Sequence, residues 1–582
     1  MMRRHAALGV SLALAAVVAC GIDDPPTETG RLDLRILEAT TGKATPARVE
    51  LIDADARPVV PDDALPIFSD CGNVPVHSWI PAAAPIQTLL DRHREVPNPY
   101  SGTTQFYSNG SLVANLPPGR YAVAAEKGFE YETADAEIVI EVGKTTGAEL
   151  RLVRWIDLPA EGWYSADDHL HIPRPHPGFD PVIATWMQAE DLHVANLLQM
   201  GLARDVHITP QHRFGPAAVY RQGDTLVVTG QENPRTHVLG HSIILGGAHW
   251  IDDPSAYLLY DRLWEMAREQ EAVNGYAHWA LGGAQEGLAV WGHLNLLDFI
   301  EVLNLGLPFY QRWYETLDLG LRIAPTAGTD YPCLPGLPGR ERFYARLDGP
   351  LDHHAWLEAV RRGRTFVTNG PVLELRVAGA GVGDEVRVPR PGRVSVEGRV
   401  SFDPNRDEVT RLELIRGGEV ALAAGDPSAR GELRLEGTIE VEQSTWLALR
   451  ASGAKRGETP IDLATLMPSL LTLERRGDAE LIAELPAGSV ARPSAAHSAA
   501  VFVTVDGTPP IYEQERARQV EQAWLGRLDE LAGRLRDDRI EELAGFPGRG
   551  DGIGETELLS LRQALLEAID VARRAHARPA EP

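Results

Sequence analysis

Residues 162–172 read GWYSADDHLHI, and this stretch decides how the central part of the chain is interpreted. It runs from a short apolar segment into two histidines, His169 and His171. Side chains along a strand alternate between its two faces, so both imidazoles lie on the same face. The stretch therefore predicts a strand that brings two metal-ligating side chains to its C-terminal end.

The sequence on either side of this strand, from residue 155 to residue 370, alternates short apolar runs with helical segments. The predicted helices are Pro181–Asp191, Ser255–Ala272, Pro308–Leu319 and His354–Gly363. Alternating β and α units are typical of an α/β protein with a parallel sheet or a barrel. In a β/α barrel the C-terminal ends of the strands converge on one mouth, where we expect the functional residues to lie.

Residues of metal-ligating type stand at the boundaries of several predicted strands. They are His169, His171, Glu232, His241, His278 and Asp330. Imidazoles and carboxylates that arrive from different strands can surround a divalent ion. His241 begins its apolar run, so a loop position is the alternative for that residue. A lone His-x-His is common on protein surfaces, and the predicted metal site therefore depends on the whole set.

A series of motifs follows in a fixed order along the chain: GWYSADDHLHI, VVTGQE, GHSIILGG, GYAHW, IEVLN, PTAGTDY and VRRGRTFVTNGP. In this order they resemble the CehA/McbA family of metallohydrolases, which belongs to the PHP superfamily. The resemblance covers most of residues 31–540. It implies a distorted (β/α)7 barrel holding two or three metal ions, with the six residues above as the metal ligands.

The sequence departs from the family pattern at positions that affect the number of metal ions. Asp168 occupies a position that is apolar in the family motif, and Gln199-Met200 stands where related proteins often have Asp-His. Pro332 replaces the histidine that commonly ends the last motif, and proline cannot ligate a metal. We therefore expect one or two divalent ions, of zinc, manganese or iron.

A metal ion in such a site activates water and polarises the bond to be broken, so we predict a metal-dependent hydrolase. The expected substrate is a small molecule with an ester, a carbamate or amide-like bond, or a phosphodiester. The leaving group needs a proton, which either a bound water or His176 supplies; for His176 the alternative is a surface position between prolines. The alternative function is a non-catalytic envelope lipoprotein that binds a ligand at the barrel mouth.

The first twenty residues predict export and lipidation. Arg3 and Arg4 precede the apolar run Ala6–Val18, which is too short to span a bilayer and is typical of a signal peptide. The run ends in VVAC, residues 17–20, and resembles the lipobox of bacterial lipoproteins, in which the cysteine carries the lipid. We predict lipidation of Cys20 and a place in the bacterial cell envelope. Gly21 follows, and not aspartate, which favours the outer membrane.

The other parts of the chain differ in periodicity and predict flanking domains. They are a lipoprotein signal peptide (1–20), a tether (21–30), an N-terminal β-sandwich-like domain (31–154), a second small antiparallel β-domain (371–510) and a C-terminal helical segment (511–582), around the PHP-like metallohydrolase barrel (155–370). Apolar residues at helical spacing in the last segment predict a packing face: Val520, Trp524, Leu528, Leu531 and Leu535.

Charge and cysteine content narrow the classes of partner. The net charge is −26, and lysine occurs only at positions 43, 127, 144 and 455. An acidic chain without basic tracts argues against nucleic acid as a partner and against docking on anionic lipid. Cys71 and Cys333 lie far apart, and an oxidising envelope permits either a disulfide between them or two free thiols.

Overall fold

The structure of the protein is a computed structural model. It describes residues 28–68, 93–202, 206–236, 238–278, 284–304, 307–334, 336–462, 489–508, 514–537 and 555–577. The predicted signal peptide, Cys20 and most of the tether lie outside the described residues. No helix in the described part of the chain is long and apolar enough to cross a membrane.

The N-terminal domain is a β-sandwich whose sheets have the strand orders β5-β1-β8 and β3-β4-β2-β6-β7. Alternating buried and exposed residues along β1 show why the chain forms a strand with one face toward the core. Leu32, Leu34 and Ile36 fill that core from one sheet, and Val49 and Val123 fill it from the other. The strands are β1 (Gly30–Glu38), β2 (Ala47–Asp53), β3 (Val96–Pro97), β4 (Thr104–Ser108), β5 (Ser111–Leu116), β6 (Gly119–Glu126), β7 (Ala134–Ile140) and β8 (Thr145–Leu152).

The middle of the chain contributes strands to one large branched sheet. The parallel pairs β9–β10, β10–β13, β15–β16 and β16–β18 alternate with antiparallel pairs that involve β14 and β19. The strands are β9 (Trp163–Leu170), β10 (Val194–Leu202), β11 (Val206–Ile208), β12 (Tyr220–Gln222), β13 (Thr225–Thr236), β14 (Gly240–Leu245), β15 (Val273–Tyr276), β16 (Phe299–Asn304), β17 (Leu307–Pro308), β18 (Ala324–Ala327), β19 (Arg342–Arg346) and β20 (Thr365–Thr368).

Short helices cover this part of the sheet, and four of the five described ones lie at or near a segment where the sequence predicts a helix; the helix at Ala284–Trp291 was not predicted. They are α1 (Asp180–Ala189), α2 (Tyr260–Glu269), α3 (Ala284–Trp291), α4 (Gln311–Asp318) and α5 (His353–Arg361). Single turns of 3₁₀ helix lie at Pro159–Glu161, Pro177–Phe179, Pro216–Ala218, Pro254–Ala256 and Gly292–Leu294. The Asp352 carboxylate caps α5 by accepting a hydrogen bond from the backbone N–H of Ala355.

The predicted fold class, a PHP-like distorted (β/α)7 barrel in an α/β protein, is wrong. The described residues are mostly β, with 42% in strands and 23% in helices, and they form several sheets. A repeating β/α barrel needs parallel neighbours joined by helical crossovers. Here β14 runs antiparallel to both β13 and β15, and β19 runs antiparallel to both β9 and β20. The sheet also continues past residue 370, because β20 pairs with β30 (Pro493–Ser498).

The C-terminal β-region packs the sheet β21-β23-β26 against strands of the large sheet. The strands are β21 (Val372–Val377), β22 (Glu385–Val388), β23 (Gly392–Ser401), β24 (Asp407–Arg416), β25 (Glu419–Gly425), β26 (Glu432–Val441), β27 (Thr445–Lys455), β28 (Ile461–Asp462), β29 (Ser489–Val490), β30 (Pro493–Ser498) and β31 (Val501–Val505).

Two long helices close the chain, α6 (Gln514–Asp537) and α7 (Glu555–His576). The predicted apolar stripe lies on α6, and its residues are buried in the core of the middle region. Trp524 is 4% exposed and Leu528 is 0% exposed. The interpretation of the stripe as a packing face is therefore confirmed.

Candidate metal centre

The strand β9 delivers the two histidines of the His-x-His motif to a fully buried position. His169 lies near the end of β9, and His171 follows the strand by one residue. The two Nε2 atoms lie 3.0 Å apart, and both side chains are almost completely buried. Two buried imidazole nitrogens that face the same point are what a shared metal ion would require.

Two carboxylates from other parts of the sheet complete this cluster. Glu232 comes from β13, and Asp330 follows β18 by three residues. Glu232 Oε2 lies 3.2 Å from His171 Nε2, and Asp330 Oδ1 lies 3.0 Å from the same atom. These carboxylate oxygens lie 3.8 Å and 3.5 Å from His169 Nε2.

The spacing of these four atoms suits one divalent ion. Nitrogen and oxygen ligands at about 2.1 Å from a tetrahedral ion lie about 3.4 Å from one another. The five separations that involve a histidine nitrogen run from 3.0 to 3.8 Å. The donors form two overlapping groups that could each hold an ion: His169, Glu232 and His278, and His169, His171 and Asp330. Glu232 Oε2 and Asp330 Oδ1 are buried and accept no hydrogen bond of normal geometry from the described residues, although Arg235 Nε lies 3.0 Å from Glu232 Oε2. Buried carboxylate oxygens are rarely left in that state, so the residues present fit a metal ion.

The other oxygens of the same carboxylates face the remaining histidines. Asp330 Oδ2 lies 3.1 Å from His278 Nε2, and Glu232 Oε1 lies 2.7 Å from His241 Nδ1. The rings of His241 and His278 are neighbours, with 5.3 Å between their centroids. The six residues expected from the sequence therefore lie together. Each carboxylate has one oxygen near His171 and the other near His278 or His241, so the six residues could hold one ion or two.

The antiparallel strand β14 explains why His241 belongs to this cluster. The ligands on β9 and β13 lie at or near the C-terminal ends of parallel strands, whereas His241 is the second residue of β14. Since β14 runs in the opposite direction to β13, its beginning lies at the edge where β13 ends. The loop alternative for His241 is thereby excluded.

The electrostatics of the cluster favour a cation. Burial alone would lower the pKa of His169, but the carboxylates of Glu301 and Asp330 raise it well above its ordinary value. Burial would raise the pKa of Asp330, but His169, His171 and His278 hold it far below the usual range. An electrostatic field that stabilises protonated imidazoles also stabilises a divalent cation that takes the place of the protons.

Glu301 on β16 orients two of the histidines. Its Oε1 lies 2.8 Å from His169 Nδ1, and its Oε2 accepts a hydrogen bond of 2.7 Å from the backbone N–H of His278. The Asn304 side-chain amide donates to the same Oε2 at 3.0 Å. A carboxylate bound to the far nitrogen of a histidine fixes the direction of the ligating nitrogen. Glu301 therefore acts on the site through His169 and His278.

Asp167 connects three segments of the site, which no motif indicated. Its Oδ1 accepts hydrogen bonds from the backbone N–H groups of His169, at 3.0 Å, and Thr329, at 3.2 Å. Its Oδ2 accepts from the Thr329 hydroxyl at 2.6 Å and from the Gly339 N–H at 2.8 Å. Burial raises the pKa of Asp167 to about 6, although these hydrogen bonds oppose the rise. The histidine strand and the Asp330 segment are thus held together by one carboxylate.

Gly328 permits the close approach of β18 to β9. A Cβ atom at this position would lie 2.4 Å from the Cβ of His169 and 2.6 Å from Oδ1 of Asp168. Asp168, the acid at an expected apolar position, is fully buried, and burial together with the charge of Glu301 raises its pKa well above the usual range. Only glycine leaves room for this packing.

Two of the candidate ligands have left-handed backbone conformations. The φ angle is 39° at His278 and 54° at Asp330. Such angles are unfavourable for residues with a Cβ and persist where surrounding contacts enforce them. Both residues lie beyond strand ends, and the turn brings their side chains to the same point.

The His176 side chain caps a short turn in the structure. Its Nδ1 accepts a hydrogen bond of 3.0 Å from the backbone N–H of Gly178 and so caps the 3₁₀ turn at Pro177–Phe179. Among the contacts of the described residues, none joins His176 to the six candidate ligands. Proton donation by His176 stays a prediction.

Arg235 is a residue of the site that the sequence analysis missed. Its Nε lies 3.0 Å from Glu232 Oε2, and its side chain is 17% exposed. Burial would raise the pKa of Glu232, but Arg235 and His241 lower it well below the usual range. Spacing gave no signal for this contact, because residues three apart in a regular strand lie on opposite faces. The register of β13 shifts between Glu232 and Arg235, and this irregularity allows the two side chains to meet.

The structure describes only one of the two cysteines that the sequence analysis considered for a disulfide bond. Cys333 takes part in a disulfide bond. Cys71 lies outside the described residues, so its pairing with Cys333 stays a prediction.

Comparisons with known proteins identify no family for this chain. No protein-family model and no curated protein matches it. Two solved structures show partial similarity. One is the minor pilin GBS52 of Streptococcus agalactiae, with 19% identity, a TM-score of 0.14 and coverage of 22% of this chain and 46% of the pilin. The other is a streptococcal ancillary pilin, with 13% identity, a TM-score of 0.14 and coverage of 25% and 38%. The match spans less than half of each pilin chain.

Proposed function

We propose that the protein is a metal-dependent hydrolase whose centre is the cluster of His169, His171, Glu232 and Asp330. The convergence of two imidazole nitrogens and two buried carboxylate oxygens, with nitrogen–nitrogen and nitrogen–oxygen separations of 3.0 to 3.8 Å, carries the proposal. His278 and His241 extend the donor set to a second position. The order of the motifs supports a relationship to the CehA/McbA family, which is part of the same proposal.

His169, His171, Glu232 and Asp330 would hold the ion, which would lower the pKa of a bound water and polarise the scissile group. The residues of the chain have complementary tasks. Glu301 orients His169 and His278, and Asp167 holds the backbone of His169 against that of Thr329. Arg235 places one positive charge beside Glu232, where an anionic part of a substrate can meet it.

The experiment that tests this function combines elemental analysis of the purified protein with a hydrolysis screen. We expect one or two equivalents of zinc, manganese or iron, and turnover that a chelator removes and the metal restores. Bound metal without turnover on any substrate would favour the ligand-binding alternative. Absence of metal in protein reconstituted with all three ions would contradict the proposal.

We predict that the substrate is an ester, a carbamate or amide-like compound, or a phosphodiester, and not a phosphate monoester. A monoester dianion needs concentrated positive charge, which extra metal ions or several cationic side chains supply. Pro332 stands where a further histidine is expected, and lysine is absent from residues 156–370. Among the described residues, Arg235 is the cationic side chain that contacts the cluster.

The measurement compares kcat/KM for an aryl acetate, an aryl carbamate, a phosphodiester and a phosphate monoester that share one leaving group. We expect the monoester to be the poorest substrate by about tenfold or more, which corresponds to ~1.4 kcal/mol in the barrier. A preference for the monoester would contradict the prediction.

The export of the protein is a separate proposal that rests on the sequence of residues 1–20. We predict that Cys20→Ala abolishes lipidation and leaves unprocessed precursor or soluble protein, because the thiol is the only group at that position that can carry the lipid. The measurement is the mass of the mature N-terminus and the distribution between membrane and soluble fractions. A mature wild-type protein without lipid on Cys20 would contradict it.

A further inference from the structure

A polar cavity, apart from the candidate metal centre, lies where the N-terminal domain, the loop after β18 and the C-terminal β-region meet. Its volume is about 160 Å³. Arg48 and Tyr100 line it from the N-terminal domain, Arg340 lines it from the loop, and Lys455 and Arg456 line it from the end of β27 and the segment that follows. The proposed hydrolase makes no use of this cavity.

The lining of the cavity carries an excess of positive charge. Six cationic side chains and three carboxylates face it. The cations are Arg48, Arg340, Arg342, Arg406, Lys455 and Arg456. Two further carboxylates are not part of the lining but pair with two of these cations. Asp407 lies 2.6 Å from Lys455, and Glu408 lies 3.0 Å from Arg456. With Asp403, 3.9 Å from Arg406, the carboxylates equal the cations in number, so the excess of positive charge is confined to the lining itself.

Two of these cations, Arg342 and Arg406, lack a close carboxylate, whereas Arg48 is paired with Glu126 and Glu190, and Arg340 is paired with Glu458. Arg342 is 1% exposed and donates to the backbone carbonyls of Gly339, Asp191 and Glu190. Arg406 donates to the carbonyl of Gly128 and to the Thr133 hydroxyl, and the nearest carboxylate in its ion pairs is 3.9 Å away. The Nε of the buried Arg48 has no hydrogen-bond partner among the described residues.

Aromatic rings hold the guanidinium groups in place. The Arg342 guanidinium lies 4.3 Å from the centroid of the Phe129 ring, and that of Arg340 lies 4.8 Å from the centroid of Tyr100. Cation–π contacts attract the charge without neutralising it. Burial lowers the pKa of Lys455 to about 8, and the nearby Arg340 and Arg406 contribute to the decrease. These groups would gain from an anion in the cavity.

We propose that this cavity binds a small tetrahedral oxyanion of the size of phosphate or sulfate. Arginine presents N–H groups in a fork that matches such oxyanions. The volume of about 160 Å³ is below the roughly 300 Å³ at which pockets for drug-sized ligands begin, which favours a free ion. The ligand would tie three parts of the chain together.

The test measures binding of inorganic phosphate to the full mature chain by calorimetry at constant ionic strength. His169→Ala serves as the background, with chelator present, so that phosphate held at the metal centre does not contribute. We expect Arg340→Gln to weaken binding by about tenfold or more, since a hydrogen bond to a charged group exceeds the ~1.4 kcal/mol that corresponds to a factor of ten.

A second variant covers the case in which Arg340→Gln fails to fold. Ser101 is exposed at the rim of the cavity, and Ser101→Glu adds a negative charge there without disturbing the core. We expect it to weaken phosphate binding as well. Arg393→Gln removes an arginine whose side chain is 73% exposed on β23 and should bind phosphate as the background does. Absence of phosphate binding in the background, or equal binding in all variants, would overturn the proposal.

Discussion

His169→Ala is expected to leave the chain folded while metal content and turnover are lost. His169 supplies one nitrogen to the cluster and binds Glu301 through the other. Its removal takes away a candidate metal ligand and leaves Glu301 without the imidazole that it orients. A ligand contributes several kcal/mol to the stabilisation of the transition state through the ion, so turnover should fall by about 1,000-fold.

The measurement is elemental analysis together with kcat/KM on the best substrate of the screen, with folding followed by circular dichroism. His278→Ala and Asp330→Ala should behave in the same way. His249→Ala is the matched control, because His249 is exposed and its backbone N–H, not its imidazole, contacts Gln270. Normal metal content in all three ligand variants would show that the assignment is incorrect.

Gly328→Ala is expected to damage the site although alanine adds a single methyl group. The new Cβ would lie 2.4 Å from the Cβ of His169 and 2.6 Å from Oδ1 of Asp168, so β9 or β18 must move. Overpacking of this kind costs about 1–3 kcal/mol of the free energy of unfolding. Movement of β9 also displaces His169 and His171, so turnover should fall by more than the loss of folded protein alone explains.

Gly349→Ala provides the control for this substitution. An added Cβ at Gly349 would have no atom within 4 Å, and its backbone conformation is ordinary. We expect it to match the wild type in melting temperature and in metal content. The interpretation of Gly328 fails if Gly328→Ala retains both wild-type stability and wild-type turnover.

The sequence was informative about the residues of the site because their chemistry is local. His169 and His171 share a face through the two-residue period of a strand, and Glu232 and Asp330 stand at or just beyond the ends of apolar runs. The structure brings all six candidates together. Their role as metal ligands stays a prediction.

The fold class was predicted incorrectly because apolar runs do not reveal strand direction. A strand buried on both faces is continuously apolar whether its neighbours are parallel or antiparallel. The run at Gly240–Leu245 was therefore counted as another unit of a β/α repeat, whereas β14 pairs antiparallel with both neighbours. Pairing between distant segments, such as β20 with β30, leaves no local pattern at all.

The supporting residues were missed for a related reason. Asp167 acts through hydrogen bonds to Thr329 and Gly339, which lie more than 160 positions away. Gly328 matters because of an atom on another strand. Neither role follows from spacing along the chain, since each depends on which strands become neighbours.

The hydrogen bonds of Asp167 have a consequence for how an ion would enter and leave the centre. The histidine strand and the Asp330 segment are already joined at His169 and Thr329, so capture of an ion orders little additional chain and costs little conformational entropy. Release would then require local opening of backbone hydrogen bonds, and not only rotation of a side chain. An ion held this way would exchange slowly with its surroundings.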